Sequence, residues 1–307
     1  MARTRVVGCD GGGCDTGHSI NPGGFCPVST VAWDHIHEKG RPTVTSDSGT
    51  SDTVTSGEAT FVLVPGYWLG AWAWDAVAAE LRAAGHAVHA VTPAGQAERA
   101  EQSAPGADVE TQIADLVRLI EDADMREVVL VAHSGANMAV TGAADRIPER
   151  IANVVYVDSG PMPSGMAGID FHDAEARAEL EKAVAEQGGG WRIPVPPFDA
   201  AADPVNLAGL TEEHLAAMRG RGTPQPFGTA TQALTRPDPL PATPRTLIAT
   251  TIPLDAVRQM GDSGHPVFSL MTGPGWTYRE LPTGHWPMLS APRELAALLA
   301  GVAAGGS

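Results

Sequence analysis

Short apolar runs alternate with amphipathic segments from about residue 59 onwards. Runs rich in β-branched residues predict strands at 61–64, 129–132, 153–157, 245–251 and 277–281. Apolar positions spaced i, i+3, i+4 and i+7 predict helices at 72–84, 108–122 and 291–303. Because strands and helices alternate along the chain, we predict an α/β fold with a mainly parallel sheet and helices on both faces.

Two regions depart from this pattern. Residues 39–57 carry hardly any apolar side chains, and such a composition cannot offset the entropy lost on ordering. We therefore predict a disordered N-terminal extension over 1–56. Residues 161–243 are rich in proline around two polar helical stretches, so we predict a cap, or lid, inserted into a core made of 57–160 and 244–307.

A candidate nucleophile follows the second predicted strand. Residues 129–136 read Val-Leu-Val-Ala-His-Ser-Gly-Ala, so Ser134 stands between small residues, Ala132 and Ala136, two positions to either side. A strained strand-to-helix turn that exposes a nucleophilic serine needs small residues at these positions. The same pattern is also typical of an ordinary buried strand that ends at Ser-Gly.

Two further segments carry the partners that such a serine needs. His285 lies on a loop between the last predicted strand and the last predicted helix, where it could act as a general base. Residues 65–70 form a glycine-rich turn after the first strand. Backbone N–H groups of that turn, together with the N–H of Gly135, would form an oxyanion hole.

Along the chain, the glycine-rich turn comes first, the serine turn second and the His285 loop last. With its segments in this order, the chain resembles the α/β-hydrolase superfamily over roughly four-fifths of its length. Residues 61–74 and 81–93 are most similar to the small esterase and hydroxynitrile-lyase branch, whose oxyanion turn reads His-Gly-x-x-x-Gly-Ala-Trp. Here Pro65 replaces the histidine, whereas the two glycines, the alanine and the tryptophan match. The resemblance implies Ser134 as nucleophile, His285 as base, and the N–H groups of Tyr67 and Gly135 as oxyanion donors.

The acid of the triad remains open between two aspartates. Most superfamily members carry it after the penultimate strand, where Asp255 here follows Ile-Pro-Leu and begins a predicted helix. Some dehalogenases and lactone hydrolases carry it one strand earlier, where Asp158 ends the apolar run 153–157. We favour Asp158, because a carboxylate at the end of a central strand can accept the Nδ1–H of the base. The sequence Asp-Ser-Gly-Pro is also typical of a plain turn.

Apolar side chains near these motifs and in the predicted cap are candidates for substrate contact. Each could instead pack the cap onto the core. The candidates are Trp68, Met162, Trp191, Phe227 and Trp286.

Composition narrows the function further. The 307 residues carry a formal net charge of −16, which argues against nucleic acid and anionic membranes as partners. No stretch of 18 apolar residues and no apolar signal segment is present, so we expect a cytoplasmic protein. Cys9, Cys14, Cys26 and His18 are potential zinc ligands, but without a C-x-x-C spacing we predict no metal and no cofactor.

These observations predict a serine hydrolase that cleaves an ester or lactone of an apolar small molecule through an acyl-enzyme. Three alternatives stay open. A hydroxynitrile lyase of the plant branch carries a lysine just after the base, where this chain has Trp286. Acyl transfer or cyclisation in a biosynthetic pathway would need a dry pocket. A binding protein that keeps the fold without turnover is the third.

Overall fold

The computed structural model describes residues 58–102 and 105–305. Within them, six strands form one sheet in the order β2-β1-β3-β4-β7-β8, and every neighbouring pair is parallel. These strands are β1 Thr60–Val64, β2 Ala87–Ala90, β3 Val128–His133, β4 Ile151–Val157, β7 Arg245–Ala249 and β8 Trp276–Glu280. Two short strands, β5 Arg192–Ile193 and β6 Gln225–Pro226, pair antiparallel in a separate sheet.

Helices cover both faces of the large sheet. The α-helices of the described residues are α1 Asp75–Ala83, α2 Val109–Asp122, α3 Asn137–Arg146, α4 Ala174–Glu186, α5 Glu212–Arg221, α6 Gly228–Thr231, α7 Leu254–Asp262, α8 Pro287–Ser290 and α9 Pro292–Ala303, of which α4, α5 and α6 belong to the segment 161–243. Alternate residues of each strand point to opposite faces. Phe61 and Leu63 of β1 therefore pack in one buried cluster with α1 and α9, whereas Val62 and Val64 pack in another with α2 and α3. The predicted fold class is confirmed.

The register of the strands brings their carboxyl ends to a common edge. Val64 pairs with Ala132, His133 pairs with Val157, and Val157 pairs with Ile248. The chain leaves β1 towards β2 and returns to β3 on the other side, which makes the gap between β1 and β3 the switch point of the sheet. Open parallel sheets bind ligands outside the carboxyl ends of their strands at such a point.

The segment 161–243 lies between β4 and β7 and contains α4, α5, α6 and the small sheet. Its buried side chains Ile169, Leu180 and Leu215 belong to the same apolar cluster as β1 and β3. Near its end, Arg236 donates two hydrogen bonds to Asp145 of α3, at 2.7 and 3.0 Å. The segment is thus fastened to the helix that follows the nucleophile turn. Its separate status as a cap remains a prediction.

Two sequence predictions lie outside the described residues: the disordered extension and the cysteine-histidine group within it. Within the described part of the chain, no helix combines the length and apolar character needed to cross a membrane.

Candidate active site

Ser134 stands where β3 gives way to α3. Every residue of β3 is buried, and the strand ends at His133. Ser134 follows with φ of +49°, a left-handed conformation that side chains other than glycine seldom adopt. Ala132 and Ala136, two residues to either side, are both buried. The strained turn predicted from the sequence is therefore present at this serine.

Ser134, His285 and Asp158 form one continuous chain of hydrogen bonds. The Nδ1–H of His285 donates to Oδ2 of Asp158 at 2.6 Å, because a carboxylate can only accept. Nε2 of His285 is then free of a proton and accepts from the Ser134 hydroxyl at 2.8 Å. All three residues are buried, at 5, 1 and 6 % exposure. The arrangement matches that of a nucleophile, a base and the group that orients the base.

The Asp158 carboxylate is held by donors on two sides. Besides His285, it accepts the Thr251 hydroxyl at 2.7 Å and the Thr251 N–H at 3.0 Å. Burial by itself would raise the pKa of Asp158, but the hydrogen bonds from His285 and Thr251 outweigh it and lower the pKa to about 2. The group is therefore ionised throughout the neutral pH range.

Asp255 lies away from this cluster. It occupies the first turn of α7, its side chain is 96 % exposed, and it pairs with Arg258 at 3.2 Å. The helix starts at Leu254, one residue before the predicted start, and the Asp255 side chain points to solvent. Of the two candidate acids, the structure brings only Asp158 to the base.

The glycine-rich turn after β1 runs directly beside the nucleophile. A Cβ on Gly66 would lie 2.9 Å from Cβ of Ser134, so no larger residue fits there. A Cβ on Gly135 would overlap the ring of Tyr67, which packs flat on that glycine. The side chain of Gln96 donates to the carbonyls of Gly66 and Leu69 and holds the turn in place.

The N–H of Tyr67 makes no hydrogen bond within the described residues, and its side chain points into the insertion. The hydroxyl donates to the Thr229 carbonyl at 3.3 Å, and burial raises the pKa of Tyr67 to about 12. The phenol is thus neutral and structural. The roles of the Tyr67 and Gly135 N–H groups as oxyanion donors stay predictions.

His133 joins the nucleophile strand to the loop of the base. The Gly66 N–H donates to its Nδ1 at 3.3 Å, so the ring proton lies on Nε2, which donates to the His285 carbonyl at 2.7 Å. Burial, together with the nearby His285, lowers the pKa of His133 to about 3 and keeps the ring neutral. From the opposite side, the backbone N–H of His285 donates to the backbone carbonyl of Asn206 at 2.7 Å. The peptide groups that flank the base are therefore fixed at both ends.

A mainly apolar cavity opens beside Ser134. Its wall combines the site residues with side chains of the insertion, of α7 and of the turn at 268–271. The lining residues include Met162, Ile169, Phe171, Leu180, Ala230, Leu247, Ile252, Val257, Val267, Phe268 and Met271. Among the described residues of this wall there is no lysine, arginine or glutamate, and the one carboxylate is Asp158. His172 also lines the wall, and burial lowers the pKa of its ring.

Of the five predicted contact residues, the structure places Met162 in the cavity wall and the other four elsewhere. Trp68 and Trp286 both pack edge-on against Phe198, with ring centroids 6.1 and 5.6 Å apart. Trp191 is partly exposed under the guanidinium of Arg192, and Phe227 is half-buried against the core. Trp68, Trp286 and Phe227 therefore pack between the insertion and the core, which was the alternative interpretation for these side chains.

No role was predicted from the sequence for His133, for Thr251 or for the aromatic pair Phe171 and Phe268. His133 directly precedes the serine, so its position was a usable signal. Thr251 had none, because its contact depends on the pairing of β4 with β7. Within the described residues, no group of three or more His, Cys, Asp or Glu side chains could hold a metal ion.

Comparison with known proteins agrees with this geometry. Residues 61–298 match the model of the alpha/beta hydrolase family. The carbendazim hydrolyzing esterase of Nocardioides sp. (strain SG-4G) is 32 % identical over 266 residues, which cover 79 % of this chain and 98 % of that protein. Methyl jasmonate esterase 1 of Vitis vinifera is 30 % identical over 60 % of this chain and 68 % of its own.

Solved structures share the fold. An extracellular alpha/beta-hydrolase from a Paenibacillus species has a TM-score of 0.64 at 23 % identity and covers 80 % of this chain and 98 % of its own. Tomato methylketone synthase I, with 2-tridecanone bound, also has a TM-score of 0.64, at 18 % identity over 82 % of this chain and all of its own. The chain belongs to the alpha/beta hydrolase family and is a carboxylic ester hydrolase of that family.

Proposed function

We propose that this esterase cleaves esters and lactones of small, neutral, apolar molecules through an acyl-enzyme on Ser134. The observation that carries the proposal is the buried chain of hydrogen bonds from Ser134 through His285 to Asp158, on a serine held in a left-handed turn. Such a series of hydrogen bonds contributes little to the stability of the fold, because burying an ionised carboxylate costs free energy.

In the first half of the reaction, Oγ of Ser134 attacks the carbonyl carbon while its proton passes to Nε2 of His285. The N–H groups of Tyr67 and Gly135 stabilise the oxyanion that forms. Asp158 keeps the proton of His285 on Nδ1 and stabilises the imidazolium. The tetrahedral intermediate then expels the alcohol, which takes the proton from Nε2, and leaves the acyl group on the serine.

In the second half, water attacks the acyl-enzyme and gives its proton to Nε2 of His285. A second oxyanion forms in the same place and collapses, and Oγ of Ser134 leaves with the proton. The products are the free acid and the resting enzyme, and the cycle needs no cofactor. Relatives named as esterases favour water as the acceptor over acyl transfer.

The cavity determines which esters we expect. A wall of methionine, phenylalanine and aliphatic side chains favours an apolar group, and its described residues include no lysine or arginine that could neutralise a carboxylate on the substrate. Because one relative is named for a methyl ester, methyl esters belong among the first substrates to test.

The test compares p-nitrophenyl butyrate with p-nitrophenyl hemisuccinate, which replaces the terminal methyl by a carboxylate. Burying that charge unpaired costs several kcal/mol, so we expect kcat/KM to be at least about 100-fold lower for the hemisuccinate. Equal rates would contradict the neutral-substrate proposal, and hydrolysis of neither ester by the wild type would contradict the esterase mechanism.

A further inference from the structure

Thr250 and Thr251 both lie beside the Asp158 carboxylate, but only one uses its side chain there. The Thr251 hydroxyl donates to Oδ2 at 2.7 Å, and its N–H donates to Oδ1 at 3.0 Å. Thr250 donates its N–H to Oδ1 at 3.3 Å, whereas its buried hydroxyl has no partner within the described residues. Adjacent positions thus offer one side chain that contacts the acid and one that does not.

The oxygen that Thr251 contacts is the one that holds the base. Oδ2 of Asp158 accepts both the Thr251 hydroxyl and, at 2.6 Å, the Nδ1–H of His285. The last torsion of an aspartate side chain is broad and roughly two-fold, so hydrogen bonds must set its direction. Asp158 also has a φ of +45°, so its backbone is in the left-handed conformation and not in the extended conformation of the preceding strand.

The position of Thr251 follows from the sheet. Val157 of β4 pairs with Ile248 of β7, and the Asp158 N–H donates to the Ile248 carbonyl at 2.9 Å. The chain beyond β7 therefore passes directly beside the carboxylate. Thr251 is 7 % exposed, so water does not compete for the contact.

We propose that Thr251 is a positioning residue of this esterase, whose hydroxyl holds Oδ2 of Asp158 against Nδ1 of His285. The inference rests on the proposed serine mechanism. Without the hydroxyl, the carboxylate turns away from its productive direction for part of the time, and the base is less often in the orientation that accepts the serine proton. Substrate binding is unaffected, because Thr251 does not belong to the cavity wall.

The experiment compares Thr251→Val with Thr250→Val, using p-nitrophenyl butyrate. Each variant replaces a hydroxyl by a methyl group of similar size. Hydrogen bonds to charged groups are stronger than those between neutral groups. We therefore expect Thr251→Val to lower kcat by about ten- to hundredfold with KM unchanged. Thr251→Ser keeps the hydroxyl and should retain kcat within about threefold. Thr250→Val removes a hydroxyl that has no partner among the described residues and keeps the Thr250 N–H, so its kcat should stay within about threefold of the wild type.

Several outcomes would overturn the inference. Equal kcat for the two valine variants would do so, as would a loss confined to KM or to thermal stability. Thr251→Ala and Thr251→Ser form a second pair that differs in the hydroxyl, and equal kcat for that pair contradicts the proposal even if valine does not fit. An inactive wild type would overturn the proposed function itself, whereas an active wild type with equal variants overturns this inference alone.

Discussion

The sheet edge and the segment 161–243 contribute to the site in different ways. At the sheet edge, Ser134, Asp158 and His285 are each fixed by hydrogen bonds shorter than 3.1 Å. The segment contributes mainly packing, through side chains such as Ile169 and Leu180 in the cavity wall. Hydrogen bonds fix positions and directions, whereas packing fixes volume and shape. Changes at the edge should therefore affect kcat, and changes in the segment should affect substrate choice.

The largest expected effect is at the nucleophile. Ser134→Ala removes the attacking oxygen, and triad members act as a unit, so kcat should fall by about 10⁴- to 10⁶-fold. The melting temperature should change little, because the side chain is small and the turn is kept. Steady-state rates on p-nitrophenyl butyrate and a thermal melt measure the two quantities. A variant with wild-type turnover would place the chemistry elsewhere.

The next effect separates the two aspartates. Asp158→Asn keeps the volume but cannot stabilise the imidazolium, and it favours the wrong tautomer of His285, so kcat should fall by about 10³- to 10⁴-fold. Asp255→Asn is the matched control, because its side chain is 96 % exposed and pairs only with the exposed Arg258 in the described structure. It should leave kcat unchanged. An inactive Asp255→Asn enzyme beside an active Asp158→Asn enzyme would reverse the assignment.

A smaller effect is expected in the segment, where two half-buried phenylalanines differ in position. Phe171 lines the cavity and contacts Phe268, whereas Phe227 packs against the core. Phe171→Ala should enlarge the cavity and raise the kcat/KM ratio of p-nitrophenyl octanoate to acetate by about tenfold. Phe227→Ala should leave that ratio unchanged. If both variants shifted the ratio equally, the division between wall and packing residues would fail.

The last effect concerns the free energy of unfolding at acid pH and not the activity. The pKa of His133 is lowered from 6.5 to about 3 in the folded protein, so below about pH 6 the unfolded chain binds a proton that the native state does not. Wild-type stability then falls by up to about 1.4 kcal/mol per pH unit from this group. Asp158, with its pKa lowered to about 2, adds a loss in the same direction only below about pH 4.

His133→Gln removes this titration, so its free energy of unfolding should approach that of the wild type as the pH falls from about 6 to 4. Urea titrations at several pH values measure the difference. The control is His89→Gln, since His89 is exposed on β2. A difference between His133→Gln and wild type that stays constant with pH would show that the ring is not held neutral.

The residues around the site differ in how far the sequence predicts their contacts. Ser134 and Asp158 each directly follow an apolar strand, and the local pattern predicted these two places in the fold, although it left the choice between Asp158 and Asp255 open. Thr251 could not be predicted, because its contact depends on the register between β4 and β7. Trp68 and Trp286 lie next to predicted site residues, yet backbone geometry turns their rings towards Phe198. Proximity along the chain to a motif does not determine which way a side chain points.

The central claim, that Ser134 is the nucleophile, is tested most directly by covalent labelling. A serine-directed phosphonate is incubated with the wild type, with Ser134→Ala and with the wild type after acid denaturation, and the intact mass is measured. The serine mechanism predicts one phosphonyl adduct on the native wild type and none on the other two samples. An adduct of the same stoichiometry on Ser134→Ala, or no adduct on an active wild type, would contradict it.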